Sequence, residues 1–83
     1  LSFDIVLTAE SEKFIKKCDK QIRNRIIKSL RKLEKEPESG KPLTSILTGL
    51  WSLRIGGYRA IYQIKNSELI VVVIKIGHRK NVY

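Results

Sequence analysis

A small α+β domain, in which an antiparallel β-meander packs on a helical hairpin, is the fold class this chain predicts. Three stretches carry that prediction. Leu50 to Tyr62 sets two short apolar runs around Gly56-Gly57, which reads as a β-hairpin with a two-residue turn because glycine accepts positive φ freely. Leu69 to Ile76 is apolar on both faces, as a central strand should be. Ile22, Ile26, Ile27, Leu30 and Leu33 make one apolar stripe at helical spacing.

In chain order, Ser2 to Leu7 alternates around Phe3, Ile5 and Leu7 and reads as a strand on the edge of the meander. Thr8 is a good N-cap, with Glu10 and Glu12 in the first turn where the helix dipole favours acids. A first helix then runs from about Ala9 to Cys18, with Phe14, Ile15 and Cys18 inward. Asp19 caps a second helix, and the short turn at Cys18 to Gln21 makes the pair an αα-hairpin. Pro37 ends that helix, because the residue before proline resists the helical region. Glu36 to Pro42 reads as a loop, and Leu43 to Gly49 as either a short strand or a helical turn.

The hairpin register follows from its turn. Ile55 faces Tyr58, Arg54 faces Arg59 and Trp51 faces Tyr62, so the pleat puts Trp51, Leu53, Ile55, Tyr58, Ala60 and Tyr62 on one face and Ser52, Arg54 and Arg59 on the other. Like charges directly opposite destabilise a sheet, so folding alone would not select the arginine pair, whereas an anion such as phosphate would. A tight turn at Asn66-Ser67 pairs Lys65 with Glu68 and places Ile74 across from Arg59. The end of the last strand is then expected to bring His78 and Arg79 near Arg54 and Arg59.

Composition bounds the rest. The 83 residues make a single domain, 1–83, with a modest core and a formal net charge of +9. From residue 47 onward the cations Arg54, Arg59, Lys65, Lys75, Arg79 and Lys80 meet one acid, Glu68, an imbalance that favours an acidic partner. The outer face of the second helix carries Arg23, Arg25, Lys28, Arg31, Lys32 and Lys35. It is either the solvated side of an amphipathic helix or a phosphate-backbone contact surface, with Lys28 and Lys32 as RNA contacts. A single cysteine, Cys18, excludes an internal disulfide framework and fits a reducing compartment; it reads as core packing. No stretch approaches the roughly 20 apolar residues of a membrane span, and the N-terminus lacks a signal-peptide layout, so a cytoplasmic location without membrane contact is expected. The chain starts at Leu1, so a few residues are expected to precede it.

One histidine and one cysteine far apart do not make a zinc set, no acid cluster offers a magnesium site, and no Gly-rich loop leads into a helix. No metal and no cofactor is expected. What remains is Arg54, Arg59, Arg79, His78, Tyr83 and Lys80 around one concave sheet face, a set that could stabilise charge on phosphorus. If RNA is bound, its own 2′-hydroxyl can be the nucleophile, leaving positioning, charge stabilisation and proton transfer to the protein. A lone strand-end histidine and a late tyrosine are also common packing residues.

Leu50-Trp51-Ser52-Leu53-Arg54-Ile55-Gly56-Gly57-Tyr58-Arg59-Ala60-Ile61-Tyr62, followed by Ile76-Gly77-His78-Arg79-Lys80-Asn81-Val82-Tyr83, resembles the RelE/ParE superfamily of toxin–antitoxin toxins, on the RelE side. The resemblance covers nearly the whole chain. It implies a ribosome-dependent mRNA endonuclease cleaving in the A site, and a RelB-like cognate antitoxin that wraps the toxin in a hetero-oligomer. Carried over by position, Arg59 matches the arginine of the Gly-Tyr-Arg motif, Arg54 a basic strand residue, Arg79 the arginine after the last strand and Tyr83 the late tyrosine. Ser52 stands where some members carry a lysine proposed to aid proton transfer: either another group substitutes, with His78 the natural candidate for acid or base, or the activity is weak. The ParE branch shares the scaffold but acts on DNA gyrase without chemistry. A plain nucleic-acid-binding module is a third reading.

Overall fold

A five-stranded sheet with two helices on one face forms the domain, and the computed structural model describes residues 1–82. In chain order the elements are β1 (Asp4–Leu7), α1 (Ala9–Lys17), α2 (Lys20–Arg31), β2 (Lys41–Pro42), β3 (Trp51–Ile55), β4 (Tyr58–Lys65) and β5 (Ile70–His78), in the sheet order β1-β5-β4-β3-β2. The expected α+β architecture is present. Strand β1 lies on the edge and runs parallel to β5, while the pairs β5–β4, β4–β3 and β3–β2 are antiparallel. The short β2 lies in what the sequence reads as loop, and Ser45–Leu47 beyond it forms a 3-10 turn.

Both helices start where side-chain caps allow. Thr8 accepts a hydrogen bond from the Ser11 N–H and Asp19 accepts one from the Ile22 N–H. Arg23 of α2 donates to the carbonyls of Ile15, Lys16 and Cys18, covering the open C-terminal carbonyls of α1. The α-helical part of α2 stops at Arg31 and tightens into a 3-10 turn, Lys32–Glu34, ahead of Pro37. Ile15, Ile26, Leu30 and Leu33 pack on Ile55, Ala60, Tyr62, Val71, Val73 and Ile76. Ile27 departs from the expected stripe: it is 40% exposed at the rim of an apolar groove shared with Ile5, Leu7, Ile15 and Leu30.

The largest difference from the sequence reading is the register of β5. Residues Asn66–Glu68 form a 3-10 turn and Leu69 adopts φ 54°, so Lys65 pairs with Ile70 rather than Glu68. Further along, Tyr62 pairs with Val73 but Ile61 pairs with Lys75, leaving Ile74 as an extra residue in β5. This is a β-bulge. Together with the longer turn it places Gly77, not Ile74, opposite Arg59. The start of α1 covers the carbonyls at the bulge: the Val73 carbonyl accepts from the Thr8 N–H at 3.2 Å and from Ser11 Oγ at 2.9 Å, and the Ile74 carbonyl accepts from Thr8 Oγ1 at 2.8 Å.

On the other side of the core the Tyr62 hydroxyl donates to the Pro37 carbonyl at 2.7 Å and accepts from the Gly40 N–H at 3.1 Å, tying the loop before β2 to the sheet. Gly40 is needed there, because a Cβ would lie 2.6 Å from the Ser52 carbonyl oxygen and 2.7 Å from the Tyr62 hydroxyl.

Ser11→Ala should cost about 1 kcal/mol in chemical denaturation, because it removes one of the two donors to the buried Val73 carbonyl and leaves the Thr8 N–H as the other. A change below the measurement error would mean the bulge does not depend on Ser11. Tyr62→Phe should cost a similar amount for its two lost partners. Burial pushes the Tyr62 hydroxyl above its ordinary pKa. The folded state therefore holds this proton more tightly, and the contribution of Tyr62 is complete below about pH 10 and is lost as pH rises through the higher folded value. The alkaline fall in stability should be shallower in Tyr62→Phe than in the parent.

Candidate functional site

The site lies on the sheet face opposite the helices. Register sets its rows: Arg54, Arg59 and Gly77 lie abreast on β3, β4 and β5, and Ser52, Ile61 and Lys75 form the next row. The hairpin has the predicted register, with Gly56 at φ 59° and Gly57 outside the positive-φ region, the pattern of a II′ turn.

The two facing arginines do not compete for one place. Arg59 reaches diagonally across β3, where its Nη1 donates to the buried Ser52 Oγ at 2.8 Å. Arg54 is exposed and lines an open cleft of about 530 Å³ at the hairpin tip together with Gly56, Gly57, His78, Arg79, Lys80 and Asn81. The chain is held against this tip by the Arg79 N–H, which donates to the Gly57 carbonyl at 3.0 Å. Arg54, Arg79 and Lys80 give the cleft three cations, and among the described residues no acid lines it. The arginine pair thus does not by itself demand an anion: divergence of the two head groups relieves it. A cleft with three cations in its wall still attracts one.

Arg25 of α2 reaches the same tip from the helix side, its Nη1 3.1 Å from where a Cβ on Gly56 would stand. Beyond β5 the chain turns back over the open face. Val82 is 3% exposed, and its Cγ2 lies 3.6 Å from where a Cβ on Gly77 would stand. Arg59 is half-buried and held by Ser52, and it is not among the residues that line the open cleft with Arg54.

Not every expected residue joins this face. His78 borders the cleft, but its ring packs on Tyr58, centroids 5.0 Å apart, and on Phe14 of α1 at 6.5 Å, which is the helix side of the sheet. The bulge is the reason, since it turns Gly77 to the open face and His78 away from it. Lys28 on α2 and Lys32 in the 3-10 turn after it are exposed in the layer behind the sheet and are not brought to the arginines. Tyr83 lies outside the described residues. Lys75, passed over in the sequence reading, shares the open face through its pairing with Ile61. Only the bulge could have signalled it, and a strand apolar on both faces gives no alternation from which to place a bulge.

Cys18 is poorly suited to nucleophilic chemistry. Its thiol donates to the Phe14 carbonyl at 3.3 Å, and burial followed by the Asp19 charge pushes it above its ordinary pKa against the pull of Arg23. Among the described residues no group of three or more His, Cys, Asp and Glu could hold a metal ion, and no helix is long and apolar enough to cross a membrane.

Comparison with known proteins gives the family and the fold. Residues 5–83 match the family of the ParE toxin of type II toxin–antitoxin system, parDE. The chain belongs to this family. Toxin RelG of Mycobacterium tuberculosis is 40% identical over 52 residues, which make up 61% of this chain and 60% of that protein, so the chain spans less than two-thirds of its relative. Among solved structures, the RelBE2 toxin–antitoxin complex of Mycobacterium tuberculosis superposes with a TM-score of 0.87 at 28% identity, covering 98% of this chain and 95% of that one. The archaeal RelE–RelB complex from Pyrococcus horikoshii OT3 superposes with a TM-score of 0.81 over 98% and 99% of the two chains; at 22% identity it speaks to fold alone. This ParE-family domain is thus RelE-like in structure, as the two sequence motifs imply.

The turn that shapes the cleft makes a specific demand. Gly56→Ala should lower stability by about 1–2 kcal/mol through the left-handed backbone it must adopt, with Arg25 displaced as well. Gly57→Ala should cost clearly less, having negative φ and nothing within 4 Å. Equal losses in thermal denaturation would contradict the II′ assignment.

Proposed function

We propose that this domain is a ribosome-dependent mRNA endonuclease, the toxin of a toxin–antitoxin pair, and that it halts translation by cleaving mRNA in the A site. The observation that carries this reading is the open face on which Arg59 is anchored beside a cleft bearing Arg54, Arg79 and Lys80. In the proposed reaction the RNA 2′-hydroxyl attacks the adjacent phosphorus, giving a cyclic phosphate and releasing the 5′-oxygen of the next nucleotide. Arg59 and Arg79 stabilise the charge that grows on the phosphoryl oxygens, and Arg54 and Lys80 hold the backbone. His78 serves as acid or base after rotating away from Tyr58, and Tyr83 orients a base. Lys28 and Lys32 contribute longer-range attraction rather than contacts at the reacting phosphate. The reaction as proposed uses no metal or cofactor.

A RelB-like antitoxin is the proposed partner, an acidic segment of it covering the basic face through charge complementarity. The setting proposed for both is the cytoplasm. The match to the ParE family keeps a second reading in play, a non-enzymatic inhibitor of DNA gyrase. The two differ in what stops first: protein synthesis for the nuclease, DNA integrity for the gyrase inhibitor.

Arg59→Leu separates catalysis from folding. Its stability should fall by about 1–2 kcal/mol, because the hydrogen bond to the buried Ser52 is lost and the Arg54 charge is already turned away. Its cleavage rate on programmed ribosomes should fall by about 10²–10³. Arg79→Ala should behave alike. Intact mRNA at every codon with the parent protein would reject the nuclease. Undiminished cleavage by a folded Arg59→Leu would take Arg59 out of the site.

A further inference from the structure

We infer that Arg25 is a second phosphate contact, holding the nucleotide next to the one in the cleft as the RNA passes over the hairpin tip; the inference rests on the nuclease reading above. Arg25 projects from α2, on the helix side of the sheet, and is exposed. Its head group nevertheless comes back to the tip: a Cβ placed on Gly56 would lie 3.1 Å from Arg25 Nη1 and 3.9 Å from its Cδ. Gly56 has no Cβ, and its φ of 59° is one that a side chain would strain. The residue the turn requires therefore also leaves the room that the guanidinium takes. Gly56 lines the cleft with Arg54, Arg79 and Lys80, whereas Arg25 does not line it. Arg25 thus stands across the tip from three cations, with one glycine between.

Among the described residues no acid offers Arg25 a partner. One helical turn to either side its neighbours are Gln21, Ile22, Lys28 and Ser29. The ion pairs of the described residues join Lys16 to Glu12 and Arg31 to Glu34, and neither involves Arg25. An exposed arginine without an acid gains nothing by lying toward three like charges, and it could extend into water instead. A phosphodiester chain reverses that balance. Its charges recur at every nucleotide, so a strand with one phosphate in the cleft carries the next one past the tip. A guanidinium suits that phosphate, since its planar fork meets two oxygens at once and keeps its charge at any working pH. Arg25 in this role acts on binding, and the reacting phosphorus is left to the open face.

The test compares the parent with Arg25→Gln, Arg25→Lys and Lys65→Gln, the last removing an equal charge at the far end of β4, roughly 20 Å from the tip at the rise of a strand. All should melt as the parent does, since each changed side chain is exposed. Binding of a short single-stranded 2′-O-methyl RNA, which lacks the nucleophile, is titrated across salt concentrations. Arg25→Gln should weaken it about 5-fold at about 0.1 M salt and make the slope of log affinity against log salt shallower by about 0.7. Arg25→Lys should restore the slope, and Lys65→Gln should keep that of the parent. On programmed ribosomes Arg25→Gln should raise the half-saturating concentration about 5-fold and leave the saturated single-turnover cleavage rate unchanged. A neutral methylphosphonate walked along the mRNA should find one linkage, beside the cleaved one, at which the parent loses affinity and Arg25→Gln loses none. A parent-like slope in Arg25→Gln overturns the inference while leaving the nuclease standing, and so does an equal loss in both proteins at every linkage. If the parent cleaves nothing, the nuclease reading falls, and the salt slope alone decides whether Arg25 meets a phosphate. A parent that does not bind the oligonucleotide overturns that too.

Discussion

The bulge at Ile74, held by Thr8 and Ser11, is the constraint on which the arrangement of this domain depends. One extra residue in a strand reverses the facing of every residue after it. Before the bulge Val71 and Val73 point into the core; after it Ile76 does, and Gly77 faces out beside Arg59. A strand could not afford this in its buried centre if the carbonyls at the bulge went unpaired. The first turn of α1 supplies the donors, using a threonine that also caps the helix and a serine with no exposed surface. The residues that begin the helix and those that open the sheet face are thereby one structural unit.

From that unit follows the division of the basic face. Arg59 is half-buried and tied to Ser52, whereas Arg54, Arg79 and Lys80 stand around an open cleft. Opposing arginines in a hairpin are tolerable when the two head groups take different directions, one toward a neutral oxygen and one toward water. The arrangement suits a phosphate chain, for which loose cations attract and a fixed one stabilises charge at a single phosphorus. It also leaves most cations of the helical layer with a different task. Arg23 closes the end of α1, and Lys28 and Lys32 remain solvated behind the sheet.

Most of this was legible in the chain itself. The Gly-Gly turn determined the hairpin register to the residue, because a two-residue turn admits one pairing, and the faces of β3 and β4 follow from it. Thr8 and Asp19 marked both helix starts through cap chemistry that is local to four residues. The concentration of cations in the second half, and the family to which the chain belongs, were likewise visible in its residues.

Tertiary structure decided what depended on partners distant in sequence. Strand β5 is apolar on both faces, so no alternation fixed its register, and a longer turn after Lys65 together with the bulge moved it along β4. That shift turned His78 onto Tyr58 and brought Lys75 to the open face. Ser52 read as the place of a missing lysine, because its bond to Arg59 exists only once β3 and β4 lie side by side. Local pattern thus determined each element and its caps. The packing of α1 on β5 determined which side chains those elements present together, because only there could the carbonyls at the bulge find donors.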